Sequence, residues 1–232
     1  MFDCVIFQLD KQQKKRYNRI ELQTGGKTMI KNVIFDIGMV LIQFDWDSYM
    51  KKLFSENKVR EAVTKAMWHN PDWNELDRGA LTFSEVEQLF IDNAPEYAAE
   101  IREALKRLGE APANQPYAIK WVDTLREMGY SVYYLSNYFE YLMETAPQVL
   151  DFIPHMNGGV FSCHEKITKP NPQLYLRLCE KYDLKPEECL FIDDLQKNID
   201  AARALGMEGI RFQNYDHTYP EVMAFLAEKG IQ

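Results

Sequence analysis

Three short apolar runs, each closing on polar residues of a different kind, constrain this chain more than any other feature. Val33-Ile34-Phe35 delivers Asp36, Val132-Tyr133-Tyr134-Leu135 delivers Ser136, and Leu190-Phe191-Ile192 delivers the pair Asp193-Asp194. Lys169-Pro170 stands between the second run and the third. Short apolar runs bounded by turn signals read as buried strands. Ligands of an open parallel sheet sit beyond the carboxyl ends of its strands, so residues spread over about 160 positions converge on one crevice. An acid, a hydroxyl, a lysine and an acidic pair in one place are parts for handling a phosphoryl group with a hard cation.

Helical patterns alternate with these runs. A strand over 31–36 is followed by a turn and further apolar chain over 37–44. No strand is expected from 46 to 112, where helical periodicity fits 47–56, 58–68, 82–92 and 96–108. Thr82 and Glu85 have the spacing of a capping box, and Pro95 suits a helix start. An amphipathic helix over 116–128 closes at Gly129. A strand at 130–135, a helix at 139–149 and a short strand near 158–162 follow. A helix capped by Asn171, with Pro172 at its first position, runs to 182. A strand at 189–193, a helix at 196–205 closed by Gly206, a strand at 209–212 and a helix at 219–229 complete the chain. Repeated strand–helix units predict an α/β fold with a doubly wound parallel sheet. The expected core is 29–45 plus 113–232. The helical insert of 46–112, directly after the first strand, is placed as a cap over the sheet's carboxyl edge.

At 232 residues and 46% hydrophobic, the chain can bury a full core. A formal charge of −8 and a pI near 5.1 argue against non-specific binding to nucleic acid or an anionic membrane. No apolar run approaches the roughly 18 residues of a spanning helix. Cys4, Cys163, Cys179 and Cys189 show neither metal-site spacing nor a disulfide framework, and read as reduced thiols of a cytosolic protein. In 1–28 a basic stretch follows an apolar one, the reverse of the order in a secretory signal. The expectation is that the folded chain starts at Met29 and that 1–28 is an upstream extension, a weakly ordered tail being the alternative.

Each motif has a plain reading beside the chemical one. Asp36 at a strand end is placed to attack phosphorus, but aspartate there also serves turns. Ser136 and Asn137 offer hydrogen bonds to phosphoryl oxygens, or cap a helix. Lys169 is held by the proline after it and offsets charge beside Asp36; a lone lysine is otherwise a surface residue. Asp193 and Asp194 repel one another unless a cation or a donor holds them. Strand alternation lets one of them ligate magnesium while the other supports it, with Asn198 positioning the loop. The insert carries Trp46, Trp68, His69, Trp73, Asp77 and Arg78; its tryptophans read as core before ligand platform, and Asp45 as a helix cap or a catalytic group.

Taken together and in order, these residues resemble the haloacid dehalogenase superfamily over residues 30 to about 215. The turn at Gly38-Met39 and the helical insert resemble it too. The segments FIDDLQKNIDAARALGM and ITKPNPQLY look like the branch containing sugar-1-phosphate phosphatases and the phosphatase domain of epoxide hydrolases. The resemblance implies a magnesium-dependent phosphatase of small phosphorylated metabolites. Asp36 would then be nucleophile and metal ligand, Ser136 and Asn137 phosphoryl donors, and Lys169 the charge-balancing lysine. Asp194 would ligate the metal directly with Asp193 beside it, and Gly38 would contribute its carbonyl.

One position departs from the family. Most of its phosphatases carry a proton-donating aspartate two residues after the nucleophile, where this chain has Gly38. Leaving groups that depart with little proton help, such as sugar-1-phosphates and aryl phosphates, are then the expected substrates, unless a residue such as His69 or His164 donates instead. Three other readings compete. A 2-haloacid dehalogenase shares the nucleophile, but the acidic pair would repel its carboxylate substrate. A signalling receiver domain places its acidic pair first rather than last. A phosphate-binding protein that has lost turnover is the third.

Overall fold

A computed structural model describes residues 29–231; the expectations for 1–28 and for Cys4 lie outside them. Strand β1 (Asn32–Phe35) is buried throughout and forms the centre of a five-stranded sheet. On one side it pairs with β4 (Ser131–Ser136), which pairs with β5 (Gly158–Phe161). On the other it pairs with β6 (Cys189–Asp193), which pairs with β7 (Glu208–Arg211). All four pairings are parallel, so the order is β5-β4-β1-β6-β7. The chain moves outward from β1 in one direction and then returns to its other side, which puts the switch point between β1 and β6.

Side-chain alternation divides the core between the two faces. Val33 and Phe35 of β1 and Leu190 and Ile192 of β6 join one cluster. Helices α6 (Ala118–Glu127) and α11 (Tyr215–Lys229) add Trp121, Leu125, Val222 and Leu226 to it. Ile34 and Phe191 point the other way, onto Leu174 and Tyr175 of α9 (Pro172–Tyr182) and Ile199 of α10 (Gln196–Ala204). The doubly wound parallel sheet follows from strands that are apolar on both faces.

The chain between 46 and 111 is helical: α1 (Trp46–Leu53), α2 (Asn57–Ala66), α3 (Trp73–Arg78), α4 (Phe83–Asn93) and α5 (Ala98–Lys106). The capping box forms: Thr82 Oγ1 accepts from Glu85 N at 3.3 Å and Glu85 Oε2 accepts from Thr82 N at 2.7 Å. Val63, Val86, Phe90 and Ile101 join these helices to the cluster that holds Val33 and Phe35.

Several expectations are corrected. A ribbon of β2 (Ile42–Phe44) and β3 (Pro112–Asn114) pairs antiparallel, with Phe44 opposite Pro112. It joins entry and exit of the helical block, and its strands are too short to show alternation. Helix α3 also stands where no element was expected. The helix expected over 139–149 stops as α7 (Glu140–Thr145), and a separate turn of 3-10 helix spans Pro147–Leu150, because proline cannot donate to the preceding turn. Pro95 opens a 3-10 turn, Pro95–Tyr97, rather than α5 itself. The last helix starts a turn early, where Asn214 accepts from His217 N at 3.0 Å, and keeps Pro220 inside it. Cys163, Cys179 and Cys189 are buried and form no disulfide among the described residues, and no described helix is long and apolar enough to cross a membrane.

Helix α3 ends at Gly79 in the left-handed region (φ 62°), where an added Cβ would lie 2.8 Å from the Cβ of Cys163 in α8 (Ser162–Glu165). Gly79→Ala is therefore expected to lose about 1–3 kcal/mol and melt roughly 2–12 °C lower. A Cβ at Gly38 meets only Phe44 at 3.7 Å, so Gly38→Ala is expected to melt within a few degrees of the parent. Equal melting losses in a thermal scan of the two variants would contradict this packing.

Candidate active site

Asp36 lies one residue beyond β1, and Asp193 is the last residue of β6. Phe35 is in register with Ile192, so the two carboxylates arrive side by side at the switch point. Lys169 reaches between them, with Nζ 2.8 Å from Asp36 Oδ1 and 2.7 Å from Asp193 Oδ2. The three side chains are 1% (Lys169), 10% (Asp36) and 0% (Asp193) exposed, so little solvent screens them. Oxygens of Asp36, Asp193 and Asp194 lie within 4.8 Å of one another.

Each member is held from behind. Asn137, just past β4, clamps the lysine's backbone: its Oδ1 accepts from Lys169 N at 2.8 Å and its Nδ2 donates to Lys169 O at 3.3 Å. That commits the amide oxygen and one of its two N–H bonds. Asp193 Oδ1 accepts from Leu195 N at 2.8 Å, and Asn198 Nδ2 donates to both its oxygens, at 2.9 and 3.0 Å. Ile37 N donates to Asp36 Oδ1 at 2.7 Å. Ser136 is fully buried, its hydroxyl 3.4 Å from Asn137 O, behind the pocket rather than on its lining.

The charges do not balance. Burial, reinforced by Asp193 and Asp194 and opposed by Lys169, pushes the Asp36 carboxyl up to about 8. Burial and Asp193 also raise Asp194. Burial works against the charge of Lys169, but the two aspartates outweigh it and hold its ammonium above the ordinary lysine value. Lys169 pairs with two of the three clustered carboxylates, Asp194 is left with the more distant charges of Lys169 and Arg211, and Asn198 Oδ1 is buried without a hydrogen-bond partner. An all-oxygen donor set with this charge deficit fits a hard divalent cation.

A cavity of about 270 Å³ opens above these groups. Asp36, Gly38, Asn137, Lys169, Asp194 and Asn198 line it from the sheet, and Trp46, Trp73, Asn74 and Asp77 line it from the helices. Met39, Phe44, Tyr138, Phe139, Leu142 and Leu195 add an apolar wall, and Lys197 also lines the cavity. Trp68 is stacked on Trp46 at 4.5 Å between ring centroids and stays outside the lining. Asp45 caps α1 by accepting from Ser48 N at 3.0 Å. His69 and His164 are both exposed and do not line the cavity. Trp73, Asn74 and Asp77 reach it because α3 packs against α8, a contact that no local pattern announces.

The pH dependence has a definite sign. The Asp36 carboxyl moves from 3.8 when unfolded to about 8 when folded, so the fold binds a proton that the unfolded chain releases. Its contribution is full below pH 3.8 and lost as pH rises through about 8, and the raised Asp194 acts in the same sense. Metal-stripped protein is expected to melt lower as pH rises from about 6 to about 9, and Asp36→Asn to decline less steeply. Parallel slopes in thermal scans of the two proteins would contradict the raised carboxyl.

The family model for haloacid dehalogenase-like hydrolases matches residues 30–206. Drimenol cyclase drtB of Aspergillus calidoustus is 25% identical over 217 residues, 88% of this chain and 38% of the cyclase. The chain thus spans less than two thirds of that protein, and the same holds for other curated relatives. D-ribitol-5-phosphate phosphatase of Bacteroides thetaiotaomicron is 26% identical over 194 residues, 80% of this chain and 93% of the phosphatase. The solved structure of the haloacid dehalogenase family enzyme bt-2542 from the same organism, in complex with magnesium and inorganic phosphate, has a TM-score of 0.61. It is 21% identical and covers 82% of this chain and 99% of that one, a likeness of fold. With the family's pattern matched over 30–206 and its sheet in place, the chain belongs to the haloacid dehalogenase-like hydrolases.

Proposed function

We propose that this hydrolase is a magnesium-dependent phosphatase that cleaves a small phosphorylated metabolite, in the first place a sugar phosphate, through an aspartyl-phosphate intermediate. The observation that carries the reading is one buried lysine shared by Asp36 and Asp193, with Asp194 alongside. A carboxylate oxygen of Asp36 attacks phosphorus, the bond to the leaving oxygen breaks, and water then hydrolyses the acyl-phosphate. Lys169 offsets the repulsion between Asp36 and an incoming dianion. Asn137 binds the phosphoryl group through the N–H its clamp leaves over, and Ser136 supports that loop.

Asp36, Asp194 and the carbonyl of Gly38 are the residues that would hold magnesium. Asp193, its oxygens already bonded to Lys169, Leu195 and Asn198, supports them. The ion would supply positive charge for the phosphoryl oxygens. The names of the phosphatase relatives and the ligands of the bt-2542 structure support this reading. The aromatic wall suits the C–H faces of a sugar ring. Two further carboxylates beside the nucleophile, Asp193 and Asp194, weigh against a haloacid substrate.

The test is a phosphate-release screen over sugar phosphates and an aryl phosphate, with and without chelator. Asp36→Asn is expected to lower kcat by at least about 10⁴-fold, because an amide cannot form the acyl-phosphate. Asp194→Asn is expected to regain activity at high magnesium. Phosphate release indifferent to chelator, or kept by Asp36→Asn, would contradict the assignment.

A further inference from the structure

With Gly38 in place of an aspartate, and with Asp36 and Asp194 assigned to the nucleophile and the metal, the sheet side of the cavity keeps no further carboxylic acid to protonate a departing oxygen. We propose that Asp77, reaching the cavity from helix α3, is the catalytic residue that protonates the leaving-group oxygen. The inference rests on the phosphatase reading and completes it.

Four observations carry it. Asp77 lines the same cavity of about 270 Å³ as Asp36 and Lys169. No hydrogen bond or ion pair engages its carboxylate among the described residues, although its backbone oxygen accepts from Ser162 Oγ. A surface or structural aspartate is ordinarily solvated or paired; this one is half-buried and unpartnered at the site of chemistry. Its position is also fixed, because Lys166 Nζ donates to Gly79 O and the close approach of Gly79 to Cys163 locks the end of α3.

The protonation state agrees with the geometry. Burial pushes the Asp77 carboxyl up to about 7, with Lys169 pulling the other way, so an appreciable fraction carries a proton near neutrality. The other candidate with a hydroxyl, Tyr138, also lines the cavity and has no partner, but burial lifts its phenol far above the ordinary range. The exposed His69 and His164 lie outside the cavity.

The step balances. As the Asp36 oxygen bonds to phosphorus and the bond to the leaving oxygen breaks, the Asp77 proton passes to that oxygen and leaves an alcohol and a carboxylate. The Asp77 carboxylate then takes a proton from the water that attacks the aspartyl-phosphate, releasing phosphate and restoring both side chains. With this donor, departure depends less on the acidity of the leaving alcohol, so Gly38 need not restrict the enzyme to 1-phosphates.

The experiment is kcat/KM for phosphate release from glycerol phosphate, a sugar 6-phosphate and p-nitrophenyl phosphate, in wild type, Asp77→Asn and Asp77→Asn with Gly38→Asp. Asp77→Asn is expected to lose about 10²–10⁴-fold on the two alkyl phosphates and at most about tenfold on the nitrophenyl ester, whose leaving group needs no proton. Its melting temperature should hold, because the carboxylate has no partner to lose. Space beside Phe44 lets the added aspartate at position 38 restore part of the alkyl activity. An equal loss on both substrate classes, or none on either, overturns the assignment of Asp77. A wild type that releases no phosphate from any of the three overturns the phosphatase reading, and the role of Asp77 with it.

Discussion

One ammonium buried between two carboxylates is the interaction around which this structure is arranged. Asp36 and Asp193 stand side by side because their strands are neighbours in register, and without Lys169 their repulsion in a low-dielectric site would be severe. The lysine holds its place because Asn137 grips its backbone, and Asp193 holds its own through Leu195 and Asn198. The ring of contacts draws on the ends of three adjacent strands and on the loop before α9. With Asp194 added, three carboxylates stand around one buried ammonium, a donor set that fits a hard cation.

The sheet supplies rigidity beneath this cluster, and the helical block supplies a roof. Core packing on both faces fixes the strand ends to which the reacting groups are attached. Above them, α3 is pinned through Ser162, Lys166 and the close approach of Gly79 to Cys163, which brings Trp73 and Asp77 to the cavity. The floor carries the charges and the roof carries aromatic rings and one unpartnered acid. On the proposed reading, chemistry at phosphorus and handling of the leaving group are divided between the two.

What could be read in the sequence follows the same division. Asp36, Lys169 and the acidic pair were legible because apolar runs and a Lys-Pro dipeptide mark strand ends and a fixed loop. Thr82 with Glu85 and Asn171 with Pro172 were legible because caps are local chemistry. The roles of Asp77 and Asn137 were not. Asp77 sits in a six-residue helix too short for periodicity, and only its packing against α8 aims it at the cavity. Asn137 looks like a phosphate ligand or a cap, and its grip on Lys169 spans 32 residues of sequence. The ribbon of β2 and β3 was missed for the same reason, since its three-residue strands show a pattern only once paired.

Asp36, Asp193 and Asp194 around Lys169 are proposed to form a cation site. Calorimetric titration of magnesium into the chelator-stripped protein, beside the same titration into Asp194→Asn, tests it most directly. One ion per chain in the parent, and at least about a tenfold loss of affinity in the variant, is the predicted result. No saturable binding in the parent, or equal affinity in the two proteins, would contradict the account.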